Sequence, residues 1–180
     1  MTGGYKIDNQ SGVYFLTFQI IKWVDLFTRL DYRDIIIDSF QFCQKNKELN
    51  IHAYVIMSNH IHVVLSAENN NLSDTIRDFK TYTSKTIIKT IKSIEESRSD
   101  WMLNLFEFEA KKQKRNDAYQ VWTHDNHPEE LISNHFIDQK IDYIHQNPVV
   151  AGIVDEAEDY IYSSARNYAG EKGLIEIDFL

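Results

Sequence analysis

The stretch "IHAYVIMSNHIHVVLS", residues 51–66, constrains the fold of this chain most strongly. It contains two runs rich in β-branched and aromatic residues, interrupted by Ser58 and Asn59. Such runs are typical of strands, and asparagine tolerates the backbone geometry of a tight turn. We therefore expect two strands joined by a tight connection or a bulge at this point.

Three further segments have a clear hydrophobic pattern. Residues 12–21, "GVYFLTFQII", predict a first strand, and residues 32–47 predict an amphipathic helix. A long helix with one buried stripe is predicted next, because apolar positions recur at spacings of three and four: Leu72, Ile76, Phe79, Thr83, Ile87, Ile91 and Ile94. This order of elements favours an α+β sandwich, and we expect a single domain over residues 1–180.

The second half of the sequence is less regular. Residues 101–110, "WMLNLFEFEA", are compatible with a strand or a helical turn, and residues 111–117, "KKQKRND", are typical of a basic, flexible connector. Residues 128–133, "PEELIS", and the segment that follows them predict helices. We expect Pro128 in a first helical turn and Pro148 at the end of the last helix.

The charge of the chain is unevenly distributed. A net charge of -8 argues at first against a nucleic-acid partner, because phosphate binding usually requires a basic surface. Residues 77–115, however, contain ten basic and six acidic residues. The middle of the chain therefore carries either a local basic face or simply the solvated sides of helices.

Cysteine content and hydropathy indicate the compartment. Cys43 is the only cysteine, so the chain forms no internal disulfide and suits a reducing environment. The first twelve residues, "MTGGYKIDNQSG", lack the pattern of a secretion signal, and no apolar run approaches the length of a membrane span. We expect a soluble intracellular protein with no membrane partner.

Two histidines interrupt the second of the paired strands. His60 and His62 are two residues apart, so on a strand they project from the same face while Ile61 and Val63 project from the other. Two imidazoles at this spacing can share a metal ion. Taken alone, the pattern fits two half-exposed sheet histidines at least as well.

A second group of polar residues follows on a predicted helix. Gln139, Tyr143 and Asn147 are four residues apart and share one helical face, whereas Ile141 and Ile144 belong to a stripe that would dock the helix. A phenol can attack a phosphorus while an amide oxygen binds a metal ion. Taken alone, an interfacial tyrosine before a helix-ending Asn-Pro is the simpler interpretation.

Together these stretches resemble a known family. "AYVIMSNHIHVVLS", followed later by "YQVWTHDNHPEELISNHFIDQKIDYIHQNPVVAGIV", is similar to the single-tyrosine HUH transposases, and within them to the REP-associated tyrosine transposases. HUH denotes histidine, bulky hydrophobic residue, histidine, here residues 60–62. The second signature is the helix from Tyr143 to Asn147 followed by "PVVAG". Looser similarity at "VYFLTF" and "YSSARNY" extends the resemblance over most of the chain.

The resemblance implies a fold, an activity and a set of site residues. The implied fold is a small antiparallel sheet backed by helices, a ferredoxin-like or RRM-like sandwich. Members of the family cut and rejoin single-stranded DNA near hairpins through a 5′-phosphotyrosine, so Tyr143 would be the nucleophile. His60, His62 and Asn147 would bind a divalent metal, Mg²⁺ or Mn²⁺. The implied partner is single-stranded or hairpin DNA. The resemblance also implies a monomer or homodimer that is located in the bacterial cytoplasm and is associated with the nucleoid when bound to DNA.

Contacts to DNA are harder to assign from the sequence. The family often has a basic residue where this chain has Val150. Candidate phosphate contacts are basic residues of the middle segment: Arg77, Lys80, Lys111, Lys112, Lys114 and Arg115. Candidate base-stacking residues are Tyr82, Trp101 and Trp122, although large aromatic residues are more often part of a core.

Two alternatives to a transposase stay open at this point. One is a metal phosphoesterase in which water, rather than Tyr143, attacks the phosphate. The other is a module that recognises hairpin DNA without cutting it.

Overall fold

The protein is described by a computed structural model that covers residues 6–112 and 118–180. Its sheet has four strands in the order β2-β3-β1-β4, and every pairing is antiparallel. The strands are β1 (Tyr14–Gln19), β2 (Leu49–Ile56), β3 (His60–Ala67) and β4 (Glu129–Glu130). The predicted strand pair is the β2–β3 hairpin, which contains a register shift between Ile51 and Ala53.

Five α-helices are described. They are α1 (Leu30–Lys47), α2 (Leu72–Ser93), α3 (Ser99–Lys112), α4 (Asn134–Val150) and the short α5 (Ala165–Tyr168). The antiparallel sheet with its helices confirms the predicted α+β class. Within the described ranges, each helix is too short or too polar to cross a membrane.

Helices α1 and α2 cover one face of the sheet. Phe18 of β1 lies 5.7 Å from Phe79 of α2 between ring centroids, and Phe79 stacks on Phe40 of α1 at 4.6 Å. Ile61 and Val63 of β3 are fully buried. Because side chains alternate along a strand, these two residues share the apolar face with Phe18 and leave the neighbouring residues of β1 and β3 to the opposite face.

Helix α4 packs on that opposite face. Phe15 of β1 contacts Tyr143 of α4, with ring centroids 6.0 Å apart. Ile141 and Ile144 are buried beneath α4, as their helical spacing predicts. The sheet is thus enclosed between α1 and α2 on one side and α4 on the other.

Two sequence predictions in the second half are wrong. The "PEELIS" segment is not a helix, because Glu129 and Glu130 pair with Phe15 and Tyr14 as the edge strand β4. Pro128 therefore precedes an edge strand, where its missing N–H costs no ladder bond. Pro148 does not end α4, which continues to Val150.

Residues 101–110, left open between strand and helix, lie in α3. Polar Asn104, Glu107 and Lys111 share one side of this helix, while Met102 and Phe106 are buried on another.

Candidate active site on the α4 face of the sheet

The two histidines of β3 are adjacent on the α4 face. Their ring centroids are 4.7 Å apart. Across the ladder, His62 is opposite Thr17 and His60 is opposite Gln19. His62 is buried, whereas His60 lies nearer the open end of the strand and is half-buried.

His62 is held between β1 and α4. Its Nδ1 lies 2.9 Å from the Thr17 hydroxyl, and its Nε2 lies 3.4 Å from the Tyr143 hydroxyl. Phe15 stacks on the imidazole with centroids 5.4 Å apart. The ring is therefore fixed by contacts on its face and at both nitrogens.

His60 has a different environment. Its Nδ1 lies 2.7 Å from Oδ1 of Asn59, and the Trp23 ring meets it edge-on at 6.3 Å between centroids. Trp23 is 63% exposed. Both Lys22 and Trp23 have left-handed backbone, with φ of 55° and 56°, which is uncommon for residues other than glycine. Strained backbone of this kind often occurs at functional sites.

Burial keeps both imidazoles neutral. It lowers the pKa of His60, and it lowers the pKa of His62 to about 3, with smaller contributions from His60 and Lys140. A neutral imidazole retains one nitrogen lone pair, which is what a metal ion binds. The two rings are thus in the protonation state that ligation requires.

Helix α4 brings Tyr143 to the same face of the sheet, and Asn147 follows on the same side of the helix. The helix begins after Ser133, whose side chain accepts a hydrogen bond from the Phe136 amide. Tyr143 is 49% exposed, and its ring centroid lies 5.2 Å from that of His62. Asn147 is half-buried one turn further along, and its side chain makes no hydrogen bond within the described residues.

The donor set fits a metal site built from two imidazoles and one amide. In the described part of the chain, no cluster of three or more His, Cys, Asp or Glu residues could hold a metal ion. The candidate for a third ligand is the amide oxygen of Asn147, which lies one helical turn after Tyr143. Each histidine has Nδ1 engaged by a neighbour, and Nε2 of His62 faces the Tyr143 hydroxyl.

The described basic residues proposed as phosphate contacts lie elsewhere. Arg77 pairs with Asp74 and Asp78 on α2, Lys111 with Glu107, and Lys112 with Glu109. The pairs of Arg77 and Lys111 are exposed and contribute little to stability, whereas Lys112 pairs with a buried carboxylate. Lys114 and Arg115 lie outside the described residues.

Lys80 is more constrained than these residues. Its ammonium donates to the Thr123 carbonyl and to Oδ1 of Asn126, both at 2.6 Å, and burial lowers its pKa to about 8. Together with Arg77 and Lys85 it lines a groove of about 550 Å³ between α2 and residues 118–126.

Among the aromatic candidates, Trp122 is buried and donates to the Thr83 hydroxyl, whereas Tyr82 and Trp101 are exposed.

Sequence reasoning missed three residues that shape this site. Thr17 contacts His62 only because of the β1–β3 register, and that register is not visible in either strand alone. Asn59 is visible as the residue before His60, but its sequence pattern indicates a turn and not a partner for the imidazole. Trp23 follows the first strand, and its unusual backbone has no signature in the sequence.

Comparisons with known proteins agree with this architecture. A family model described as "Transposase IS200 like" matches residues 25–140, a span that includes His60 and His62 and ends before Tyr143. A search of curated proteins finds no match.

Among solved structures, the chain is similar to one titled as a REP-associated tyrosine transposase bound to a REP hairpin. The TM-score is 0.62 at 18% identity, with 100% of this chain and 92% of the other covered. Since the family model spans more than half of the sequence, the family predicted from the two motifs is confirmed, and the chain belongs to the IS200-like transposases.

Proposed function

We propose that this transposase cleaves and rejoins single-stranded DNA through a covalent bond to Tyr143. The phenolic oxygen attacks the scissile phosphorus and forms the Oη–P bond. The P–O3′ bond breaks, the phenol loses its proton, and the departing oxygen takes up a proton in its place to become a free 3′-hydroxyl. The reverse attack by a 3′-hydroxyl regenerates Tyr143 and joins the strand.

One observation carries this proposal. The Tyr143 hydroxyl lies 3.4 Å from Nε2 of His62, beside a second neutral histidine, on a half-exposed part of the surface. The Tyr143 side chain is thus aimed at the histidine pair and stays accessible to a strand of DNA.

His60, His62 and Asn147 would hold the divalent ion. When bound, Mg²⁺ or Mn²⁺ supplies positive charge that polarises the scissile phosphate. The ligands are all neutral, so they leave the charge of the ion available to the substrate. Two imidazole nitrogens make the site softer than an all-oxygen site, which favours Mn²⁺.

The DNA contacts combine stacking and charge. Trp23 presents an exposed indole next to His60, which suits a base flanking the scissile phosphate. Arg77, Lys80 and Lys85 line the groove beside α2, which suits a phosphate backbone. Because the similar solved structure is bound to a REP hairpin, we assign hairpin DNA to this groove. Lys111 and Lys112 at the end of α3 are further candidate phosphate contacts, as are Lys114 and Arg115, which lie outside the described residues.

The setting of the reaction follows from the substrate. We place the protein in the bacterial cytoplasm, bound to the nucleoid through its DNA, as a monomer or homodimer. The single, buried cysteine suits a reducing environment.

The test is to trap the covalent intermediate. The protein is incubated with labelled single-stranded hairpin oligonucleotides and Mn²⁺, then denatured, and the label is followed on a gel. We expect an adduct that is lost in Tyr143→Phe and in the presence of chelator. Tyr82→Phe is the matched control, since Tyr82 is an exposed tyrosine on α2 and phenylalanine keeps the ring that would stack on a base, so this variant should form the adduct normally.

Other outcomes would reassign the function. Cleavage without an adduct that persists in Tyr143→Phe would identify a phosphoesterase that uses water. Tight hairpin binding with neither cleavage nor adduct would identify a recognition module.

A further inference from the structure

A loop from the end of β1 lies against the turn that precedes the histidine pair. The Ile20 amide donates to the Asn59 carbonyl at 2.9 Å, and the Phe27 amide donates to the Ser58 carbonyl at 2.8 Å. Arg98 fixes the same loop from the side, since its Nη1 donates to the Asp25 carbonyl at 2.9 Å. These backbone contacts hold the Asp25 carboxylate over residues 58 and 59.

That carboxylate determines the orientation of the Asn59 amide. Oδ1 of Asp25 accepts from Nδ2 of Asn59 at 3.0 Å and from the Ser58 hydroxyl at 2.6 Å. An ionised carboxylate only accepts hydrogen bonds, so the NH₂ group of Asn59 must face Asp25. The amide oxygen is then directed the other way, to within 2.7 Å of Nδ1 of His60.

The amide in turn determines the tautomer of His60. A carbonyl oxygen only accepts, so Nδ1 of His60 must carry the proton when the ring is neutral. Nε2 is left with its lone pair, and it is the nitrogen directed away from Asn59. The Asp25 carboxylate thus determines which end of the Asn59 amide faces His60. The amide oxygen in turn determines which nitrogen of His60 carries the proton.

We propose that Asp25 is a positioning residue that, through Asn59, fixes His60 as the Nδ1–H tautomer with Nε2 ready to bind the metal ion. This inference deepens the proposed function and rests on it, because it concerns how the histidine pair is prepared before any ion arrives. Partners of this type raise the affinity of a metal site by fixing the orientation and tautomer of its ligands.

His62 provides an internal contrast. Its Nδ1 contacts the Thr17 hydroxyl, which both donates and accepts and therefore imposes no tautomer. Asp25 itself is exposed, so water screens its charge, and it acts on His60 through the direction of hydrogen bonds. The tautomer of His60 should therefore depend on Asp25, whereas that of His62 should not.

The experiment observes the ring directly in the protein without metal. Long-range ¹H–¹⁵N correlation spectra distinguish protonated from bare ring nitrogens, and a His60→Gln sample assigns the signals. In the unsubstituted protein we expect His60 as the Nδ1–H form alone. In Asp25→Asn, residue 25 can donate as well as accept, so the Asn59 amide is free to flip and His60 should become a mixture of tautomers.

A second variant and a control complete the design. Asn59→Leu removes the middle group and should give the same mixture, and adding Asp25→Asn to it should change nothing more, because the two residues act in series. Asp31→Asn is the matched control, since it removes one exposed carboxylate that pairs with Arg29. It should leave His60 unchanged.

Metal binding gives the second readout. Titration with Mn²⁺ alone should show affinity about 10- to 100-fold weaker in Asp25→Asn and Asn59→Leu than in Asp31→Asn. A His60 that is already mixed in the unsubstituted protein, or unchanged in both variants, overturns the inference. If the tautomer follows Asp25 but no Mn²⁺ binds to the unsubstituted protein, the arrangement stands and the proposed metal-dependent function fails.

Discussion

The Tyr143 hydroxyl and Nε2 of His62 lie 3.4 Å apart although 81 residues separate them in the chain. The pair links α4 to β3, and Phe15 of β1 packs against both rings. The geometry of the site therefore depends on how α4 docks on the sheet, and Ile141 and Ile144 set that docking by burial. A change in this interface should therefore alter the position of the phenol relative to the histidines.

Thr17→Val should weaken the site without loosening the fold. The substitution keeps the shape of the side chain and suits a strand, but it removes the hydroxyl that contacts Nδ1 of His62 at 2.9 Å. Without this partner the ring can rotate, and loss of such a contact to a metal ligand typically costs about 10- to 100-fold in affinity or activity. We expect adduct formation to slow by that factor at limiting Mn²⁺.

The measurement is the initial rate of adduct formation over a Mn²⁺ series, with thermal unfolding as the check on folding. Thr86→Val on α2 is the control, because it makes the same chemical change on the other side of the sheet. Equal rates in Thr17→Val and the control would mean that the Thr17 hydroxyl plays no part in orienting His62.

The sequence predicted those parts of the fold that depend on local periodicity. The alternation around Ile61 and the helical stripe through Phe79 appear in the structure as the two sides of one core. Helix α4 was predicted from its isoleucines, whereas β4 was not, because two residues paired with Tyr14 and Phe15 have no periodicity to recognise. Short edge strands are defined by their neighbours and not by their own residues.

The candidate site likewise contains residues that the sequence identified and contacts that it did not. Tyr143, His60, His62 and Asn147 were identified through motifs, and the structure brings Tyr143 within reach of His62. Their supporting contacts come from cross-strand register and from a loop with left-handed backbone, and neither is encoded in a short stretch. The motif supplied the candidate reacting groups, and tertiary structure supplied the contacts that orient them.

Removal of metal should abolish adduct formation and leave the fold intact. The sheet and helices are held by an apolar core, and His60 and His62 already have protein partners without an ion. We expect chelator to stop the reaction with little change in the far-UV circular dichroism spectrum. Added back to stripped protein, Mn²⁺ should restore activity at a lower concentration than Mg²⁺, because imidazole ligands suit Mn²⁺ better.

Three results would contradict this account. One is full adduct formation in the presence of chelator. Another is that stripped protein regains activity at a lower concentration of Mg²⁺ than of Mn²⁺, which would indicate an all-oxygen site. The third is unfolding on chelation, which would indicate a structural ion.

Trp23→Ala should weaken binding of single-stranded DNA. The indole is 63% exposed beside His60, and a base stacked on an aromatic side chain contributes about 1 to 3 kcal/mol. We expect an affinity loss of roughly 5- to 150-fold, measured by fluorescence anisotropy with an oligonucleotide spanning the cleavage point. Phe42→Ala, at a similarly exposed aromatic residue on α1, is the control.

An abasic nucleotide tests the stacking itself. Placed where the base meets Trp23, it should remove the difference between Trp23→Ala and the unsubstituted protein. A difference that persists with every abasic substrate would show that Trp23 acts through the loop and not on a base.

Glu96→Gln should lower stability at neutral pH and change its dependence on pH. The Glu96 carboxylate is buried and accepts from Nε of Arg98 at 3.1 Å and from the Tyr32 hydroxyl at 3.2 Å. Hydrogen bonds from the Arg98 side chain are the largest cause that holds the pKa of Glu96 below its ordinary value. Losing charged hydrogen bonds of this kind costs about 2 kcal/mol in the free energy of unfolding.

The direction of the pH effect follows from that lowered pKa. The unfolded chain binds the proton more readily than the folded protein, so the stabilisation by Glu96 is complete above the unfolded-state pKa of about 4.3. It is lost as pH falls through the lower, folded-state value. Urea unfolding at a series of pH values from 7 to 3 should therefore show that the free energies of unfolding of Glu96→Gln and of the unsubstituted protein become more similar as the pH falls. Glu95→Gln is the control, because Glu95 is exposed, and its free energy of unfolding should match that of the unsubstituted protein. If the free energies of Glu96→Gln and the unsubstituted protein differed by the same amount at every pH, the charge of Glu96 would not stabilise the fold.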